Sequence, residues 1–538
     1  QNSEIFTTSS TMKDYKAIAA EKVAQRNSKI PKDWLISLET FKDATCLLDI
    51  PTTCGALSDA ECEITSKYDA TDLLAKLQVG DFSAALVTKA FCKRAAIAQQ
   101  LLKQQVNCLT EIFFDEAIER ARQLDSKRHE NPSDPLPPLW GLPISLKDSF
   151  AYKDQDTSTG LACYVNDPAK EHSSLAALLL DLGARQQRLR AHAESRNTHL
   201  TAGGSTGGEG ALIALRGSLL GVGTDIGGSN RVPSVCNGLY GLRPSVGVVP
   251  HGGVRDLTVP GTVGVMSSAG PLATSMRDIA LFIRTVMQAG TWKYDSTVIS
   301  LPWSNLNPAK EQRLRIGLVE NDGLYTPTPP IRRGLKKAAD LLGSRDDIEL
   351  VPITLPGVGQ IYQDLLSYYT LSGSDYYFEQ FGRTGEPLVP SLQALESLLL
   401  QPGTTLKGFF DLNVRRGEAA KTYLSLFRDN GLDAILMAPA PHTAVPLDKW
   451  STITYTGLWN YLDYPAIVIP VDHVRKEDAA DAVSNAKFGT EDARVYSLYT
   501  GAKDYEHAPV CVQLVGYRHQ DEALMSTAAV LDGTINKD

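Results

Sequence analysis

The hydrophobic and polar positions divide the chain into a helix-patterned beginning, a glycine-punctuated middle and an alternating end. Through residue 130 the period is helical. Tyr15–Asn27 carries helical spacing with alternating charge, and Ser83 stands where it can cap a helix from Ala84 to about Leu101. Asp115–His129 predicts another helix, with Glu119 and Arg122 three residues apart on one face. Asn131–Pro138, with four prolines, is a loop. Gly141–Lys147 then switches to period two and predicts a strand that carries a lysine to its end. Toward the C-terminus, helices over Ile331–Leu342 and Glu418–Arg428 alternate with strands over Ile348–Ile353, Ala434–Met437, Ala466–Val471 and Val510–Val515. These strands look buried on both faces. The alternation predicts an α/β fold with a substantially parallel sheet. Arg475–Asp492, charged and alanine-rich, reads as an exposed insertion.

Residues 201–250 break the pattern. They hold 13 of the 42 glycines, interleaved with the short apolar runs Ala211–Leu215, Leu219–Val222 and Leu239–Leu242. Glycine at that density marks backbone that side chains would forbid, or backbone that must touch a ligand.

Composition narrows the function classes. At about 150 residues per domain, 538 residues allow three or four domains, although large α/β enzymes exceed that length as one unit. The chain is 43% hydrophobic and 21% charged, which is ordinary globular material. Its 53 basic and 62 acidic residues give a net charge of −9, against the basic face of a nucleic-acid partner. No apolar run approaches the roughly 18 residues of a membrane span. The eight cysteines include no Cys-x-x-Cys, the spacing of Cys46, Cys54 and Cys62 fits no zinc template, and the nine histidines form no close pair. Neither a metal nor a cofactor is expected. The first ten residues lack a signal-peptide pattern and no glycosylation sequon occurs, so the cytoplasm is the expected setting.

Gly203-Gly204-Ser205-Thr206-Gly207 formally matches a nucleophile elbow, but an elbow follows a strand, and Arg185–Thr201 is polar and basic. Gly223-Thr224-Asp225-Ile226-Gly227-Gly228-Ser229-Asn230-Arg231 is more informative. Two glycines before Ser229 leave successive N–H groups free to converge on one point, as an oxyanion hole requires. A second Gly-Gly-Ser, ending in Ser205, lies 24 residues earlier, and a strand-end lysine precedes both. A serine hydroxyl needs a base. With no histidine flagged, Lys147 is the candidate. Bringing a lysine from about 10.4 to about 7 costs roughly 4–5 kcal/mol, which burial can supply. Its neighbour Asp148 falls on the opposite face of a strand. The bland alternatives are a capping serine and a lysine reaching solvent.

These residues resemble the amidase signature family of serine amidohydrolases. The likeness is carried by Gly141-Leu-Pro-Ile-Ser-Leu-Lys-Asp, Gly203-Gly-Ser-Thr-Gly-Gly-Glu-Gly-Ala-Leu-Ile, Gly221-Val-Gly-Thr-Asp-Ile-Gly-Gly-Ser-Asn-Arg-Val-Pro and Gly238-Leu-Tyr-Gly-Leu-Arg-Pro-Ser. It runs from about Ile30 to Ala528 and is closest to fungal general amidases of the acetamidase type, with fatty acid amide hydrolase more distant. The resemblance implies one α/β domain over residues 131–538, built on a large twisted mixed sheet with helices on both faces. A helical region, residues 1–130, would pack on that core. It further implies a triad in which Ser229 attacks the amide carbonyl, Ser205 in a cis peptide relays the proton, and Lys147 is the base. Backbone N–H groups of Ile226, Gly227, Gly228 and Ser229 would form the oxyanion hole. Thr224 and an Asp225–Arg231 pair would support the loop. The implied partner is a small-molecule amide, with no nucleic acid and no membrane, and a homodimer is implied by analogy.

Two departures stand out. Thr206 follows Ser205 where the family usually has a second serine. Between Ala184 and Gly203, relatives carry a hydrophobic strand that helps line the substrate pocket. Here residues 185–202 hold four arginines and two histidines instead, so a missing sheet strand is expected, with backbone left unpaired. The leading expectation is hydrolysis of small aliphatic amides to a carboxylic acid and ammonia, with carbamates or esters as further substrates. The alternatives are a subunit of a transamidation complex, and a binding protein impaired by the 185–202 segment. Trp459 and Tyr461 are core aromatics or acyl-pocket walls; the sequence leaves both open.

Overall fold

Eleven strands hydrogen-bond into one sheet in the computed structural model, which describes residues 14–101, 108–189, 196–303, 313–393 and 403–537. In chain order they are β1 Leu109–Glu111, β2 Pro143–Lys147, β3 Arg185–Leu189, β4 Leu220–Asp225, β5 Tyr240–Arg243 and β6 Ser268–Ala273. They continue as β7 Leu314–Leu318, β8 Ile348–Pro352, β9 Ala434–Met437, β10 Ala466–His473 and β11 Pro509–Val515. Across the sheet the order is β1-β3-β2-β4-β6-β5-β10-β11-β9-β7-β8.

The sheet is mixed. β2 runs parallel to β3 and β4, and β7 runs parallel to β8 and β9. The remaining six pairs are antiparallel, so the substantially parallel sheet read from the strand pattern is corrected. The reason is that helices cover both faces. Ala434 and Leu436 of β9 join one apolar cluster while Ile435 and Met437 join the other. Burial on both faces produces the continuous apolar run whatever the direction of the neighbouring strand.

The expected loss of a strand after Ala184 is also corrected. Arg185–Leu189 forms β3, paired in parallel with β2 from Pro143↔Arg185 to Lys147↔Leu189 and antiparallel with β1. Ladder bonds are made by backbone groups, so a polar sequence can still complete a sheet between two committed neighbours. Residues 190–195 of the atypical stretch lie outside the described residues. Beyond them Asn197, 6% exposed, donates its amide to the carbonyls of Asp504 and Glu506, and Leu200 is buried.

The first 130 residues contribute both helices and sheet. Helix Ala84–Leu101 spans the range read from the sequence, and helices Tyr15–Ser28 and Phe114–Glu130 lie close to theirs. Leu73, Leu77, Val87 and Phe91 share one core cluster with Ile144 and Leu146 of β2. Arg26 donates to the Leu109 carbonyl (2.9 Å), so the first helix covers the edge strand β1, the kind of edge that otherwise invites pairing with another chain. The 475–492 segment is not a loose insertion. Asp492 is buried and accepts the N–H groups of Thr326, Lys487 and Phe488, while buried Asp478 pairs with Arg333. Composition counts charges but does not say which of them tie the backbone down. The eight cysteines form no disulfide, and no described helix is long and apolar enough to cross a membrane.

One buried histidine gives the fold a pH dependence. His442, just past β9, packs edge-on against Trp450 with ring centroids 4.7 Å apart. Burial lowers its pKa to about 4. Below about 6.5 the unfolded chain takes up a proton that the folded chain refuses, so this site costs stability as pH falls. A penalty of about 2 kcal/mol between pH 7.5 and 5 is expected. Urea unfolding of wild type and His442→Phe at both pH values measures it; an equal loss in the two proteins would refute the assignment.

Candidate active site

β2 and β4 are parallel neighbours in the register Ile144↔Leu220, Ser145↔Gly221, Leu146↔Val222, so their C-terminal ends open at one rim. Sites in open α/β sheets form at such ends. Lys147 ends β2, and Thr224 and Asp225 end β4. Lys147 Nζ lies 2.6 Å from Ser205 Oγ and 2.8 Å from Thr224 Oγ1. Thr224, expected only as support, therefore touches the lysine directly. Alternation along the chain turns Asp148 away, and Ser158 Oγ donates to its carboxylate at 2.6 Å. Ser205 is exposed while Lys147 and Ser229 are half-buried, so the constellation faces the outside.

Each Gly-Gly-Ser turn runs into a helix, Gly207–Ala214 after Ser205 and Arg231–Asn237 after Ser229. The Gly204–Ser205 peptide is cis. The Thr206 N–H donates to the Ser229 carbonyl (3.1 Å), which lays the two turns side by side. The Thr206 hydroxyl is buried 3.1 Å from Asn230 Oδ1. Its methyl fits because residue 223 is glycine: a Cβ there would sit 2.2 Å from Thr206 Cγ2. Threonine in place of the usual second serine is thus accommodated by β4.

The turn before Ser229 is held from below by Asp225. Its carboxylate accepts the N–H of Gly228 (2.8 Å) and of Asn230 (3.2 Å). Arg231 Nε and Nη2 reach its two oxygens at 3.1 Å each, and the Asn460 amide donates at 2.9 Å. Both members of the Asp225–Arg231 pair are fully buried. Burial alone would raise the Asp225 pKa; the Arg231 charge and hydrogen bonds, then the Asn460 amide, outweigh it and hold the carboxyl well below the usual carboxylate range. One expectation changes here. The Gly228 N–H, expected in the oxyanion hole, is committed to Asp225 and anchors the loop instead. Among the described residues no protein acceptor takes the N–H of Ile226, Gly227 or Ser229. Tyr369 OH donates to the Ile226 carbonyl (2.6 Å) and Thr456 Oγ1 to the Gly227 carbonyl (2.7 Å). Because C=O and N–H of one peptide point oppositely, holding the Ile226 carbonyl aims the Gly227 N–H away from Tyr369.

Tyr369, Thr456, Asn460 and Gln513 complete this support. Arg231 Nη1 donates to the Thr456 carbonyl (3.0 Å), and Gln513 Oε1 stands 3.4 Å from the same nitrogen. No local motif marks any of the four in the sequence. Trp459 and Tyr461 are fully buried in the core cluster behind the helix Thr454–Leu462, which settles them as core aromatics.

Comparison with known proteins agrees with this arrangement of strands and turns. The Amidase family model matches residues 86–186 and 191–525, its break falling inside the atypical stretch. An acetamidase of Aspergillus oryzae is 34% identical over 541 residues, covering 95% of this chain and 97% of its own. An acetamidase of Emericella nidulans is 34% identical over 551 residues, covering 96% and 97%. The solved structure of a fatty acid amide hydrolase superposes with a TM-score of 0.88 at 26% identity, covering 98% of each chain. The chain belongs to the amidase family, the amidase signature enzymes that its glycine–serine motifs resemble, and is an amide-hydrolysing enzyme.

Proposed function

We propose that this amidase hydrolyses small aliphatic amides through an acyl-enzyme on Ser229. The observation that carries the proposal is the contact of Lys147 Nζ with Ser205 Oγ at 2.6 Å, beside the turn that bears Ser229. Neutral Lys147 takes the proton of Ser205, which takes that of Ser229 as Ser229 Oγ bonds to the carbonyl carbon. The N–H groups of Ile226, Gly227 and Ser229 receive the developing oxyanion. The proton returns through Ser205 to the amide nitrogen, the C–N bond breaks, and ammonia leaves. Water, deprotonated along the same relay, attacks the Ser229 ester and releases the carboxylic acid. The two acetamidase relatives support a short acyl chain. Carbamates and esters fit the same steps. A homodimer rests on the resemblance alone.

The test is labelling with a fluorophosphonate, followed by peptide mapping, together with ammonia release from acetamide. Label on Ser229 with ammonia release is the expected result. Label on Ser205 would make the elbow serine the nucleophile. A folded protein that takes no label would favour the impaired binding protein, and activity that appears only with co-purifying subunits would favour the transamidation complex.

A further inference from the structure

Behind the lysine lies a carboxyl group that the proposed hydrolysis does not use. Glu209, in the first turn of helix Gly207–Ala214, is fully buried. Its Oε2 is hydrogen-bonded to Ser145 Oγ, and among the described residues its Oε1 has no hydrogen-bond partner. Ser145 and Lys147 lie on the same face of β2, one two-residue repeat apart, or about 7 Å. Gly221 of β4 leaves the room: a Cβ there would stand 2.3 Å from Glu209 Oε2 and 2.7 Å from Ser145 Oγ. The groups that face Glu209 are Ser145 and Lys147 from β2 and the Cys108 thiol from the segment before β1. Among the described residues no lysine or arginine is in ion-pair contact with it.

A carboxylate offers about four acceptor positions, and among the described residues a single hydroxyl reaches it. A buried charge so thinly solvated is costly, and the group neutralises instead. Burial pushes the Glu209 carboxyl well above its usual range, opposed only in part by the Ser145 bond and the Lys147 charge. The consequence falls on the lysine. An ionised carboxylate one strand repeat away would hold the lysine's proton about one to two pH units more tightly. A neutral one does not.

We propose that Glu209 is a positioning residue for the base: it stays a neutral carboxylic acid joined to Ser145, anchors β2 beneath Lys147, and adds no negative charge of its own to hold the lysine's proton. This rests on Lys147 being the base.

Infrared difference spectra of the full chain, wild type minus Glu209→Gln at pH 8, test it without reference to activity. The expected difference is a protonated-carboxyl C=O band that shifts in D2O. A carboxylate pair lost in its place would overturn the proposal. In Ser145→Ala the same band is expected to move, because Oε2 loses its partner; a band indifferent to that change would also overturn it, and this holds even if Glu209→Gln does not fold. In the pH profile of kcat/KM, Glu209→Gln is expected to lower the rate less than about tenfold, with the acid limb within about 0.3 unit of wild type. An acid limb displaced downward by about one unit or more would identify Glu209 as an ionised counter-charge. An enzyme without activity would remove Lys147 as the base while the infrared band still reports the state of Glu209.

Discussion

Alanine at position 229 is expected to lower kcat/KM for amide hydrolysis by roughly 10⁴-fold or more, while the protein stays folded. Lys147→Ala and Ser205→Ala are each expected to cost at least about 10³-fold, and combining either with Ser229→Ala is expected to add little. The non-additivity is the signature. Three groups that pass one proton act as a unit, so the first removal abolishes the path and later removals find nothing left to lose. Retained folding is expected because Ser205 is exposed and Ser229 only half-buried, so each alanine deletes a hydroxyl at an open rim. Progress curves of ammonia release and thermal unfolding of all five variants measure both claims. Ser229→Ala retaining a hundredth of wild-type activity, or strictly multiplicative losses in the double variants, would mean that a different nucleophile works here.

How much of this was legible in the sequence follows from where each residue's partners sit along the chain. Lys147, Ser205, Ser229, Asp225 and Arg231 stand within 85 residues, inside motifs whose glycines advertise unusual backbone. Glycine reports a local constraint, and Gly228, with φ of +125°, sits where a side chain would strain the turn. The groups that aim the turn leave no such mark. Tyr369 is 143 residues from the carbonyl it holds and Thr456 is 229 from its own. Their side chains are ordinary for a helix, so only the fold reveals their role. The periodicity located strands well and their directions poorly, because apolar burial on both faces carries no directional information. β3 was missed for the converse reason. Its composition argued for solvent, while its place between β1 and β2 was decided by neighbours that a reading of single segments does not include.

Breaking the buried ion pair is expected to produce the largest loss of stability. Arg231→Met leaves the Asp225 carboxylate fully buried without its cation, at a cost of about 3–5 kcal/mol. Asp225→Asn strands the guanidinium instead and is expected to cost a similar amount. The double variant is expected to be more stable than the sum of the two losses predicts, because it removes both charges together. Activity is expected to separate from stability in that double variant. The Asp225 carboxylate also receives the N–H groups of Gly228 and Asn230, which fix the turn that bears Ser229. An asparagine offers one acceptor oxygen where the carboxylate offers two. The turn therefore loosens, and kcat/KM is expected to fall about 10²-fold even where stability recovers. The pH dependence gives an independent check. A carboxyl held below its unfolded value contributes stability that is fully present above about pH 4 and is lost only as pH falls toward the folded value. In Arg231→Met burial acts on Asp225 without the arginine to oppose it, so the carboxyl titrates higher and the gap in unfolding free energy from wild type is expected to narrow as pH falls from 8 to 5. A gap that stays flat across that range would mean that Asp225 keeps its charge without the arginine. A double variant with wild-type activity would mean that the turn is held in place without the pair.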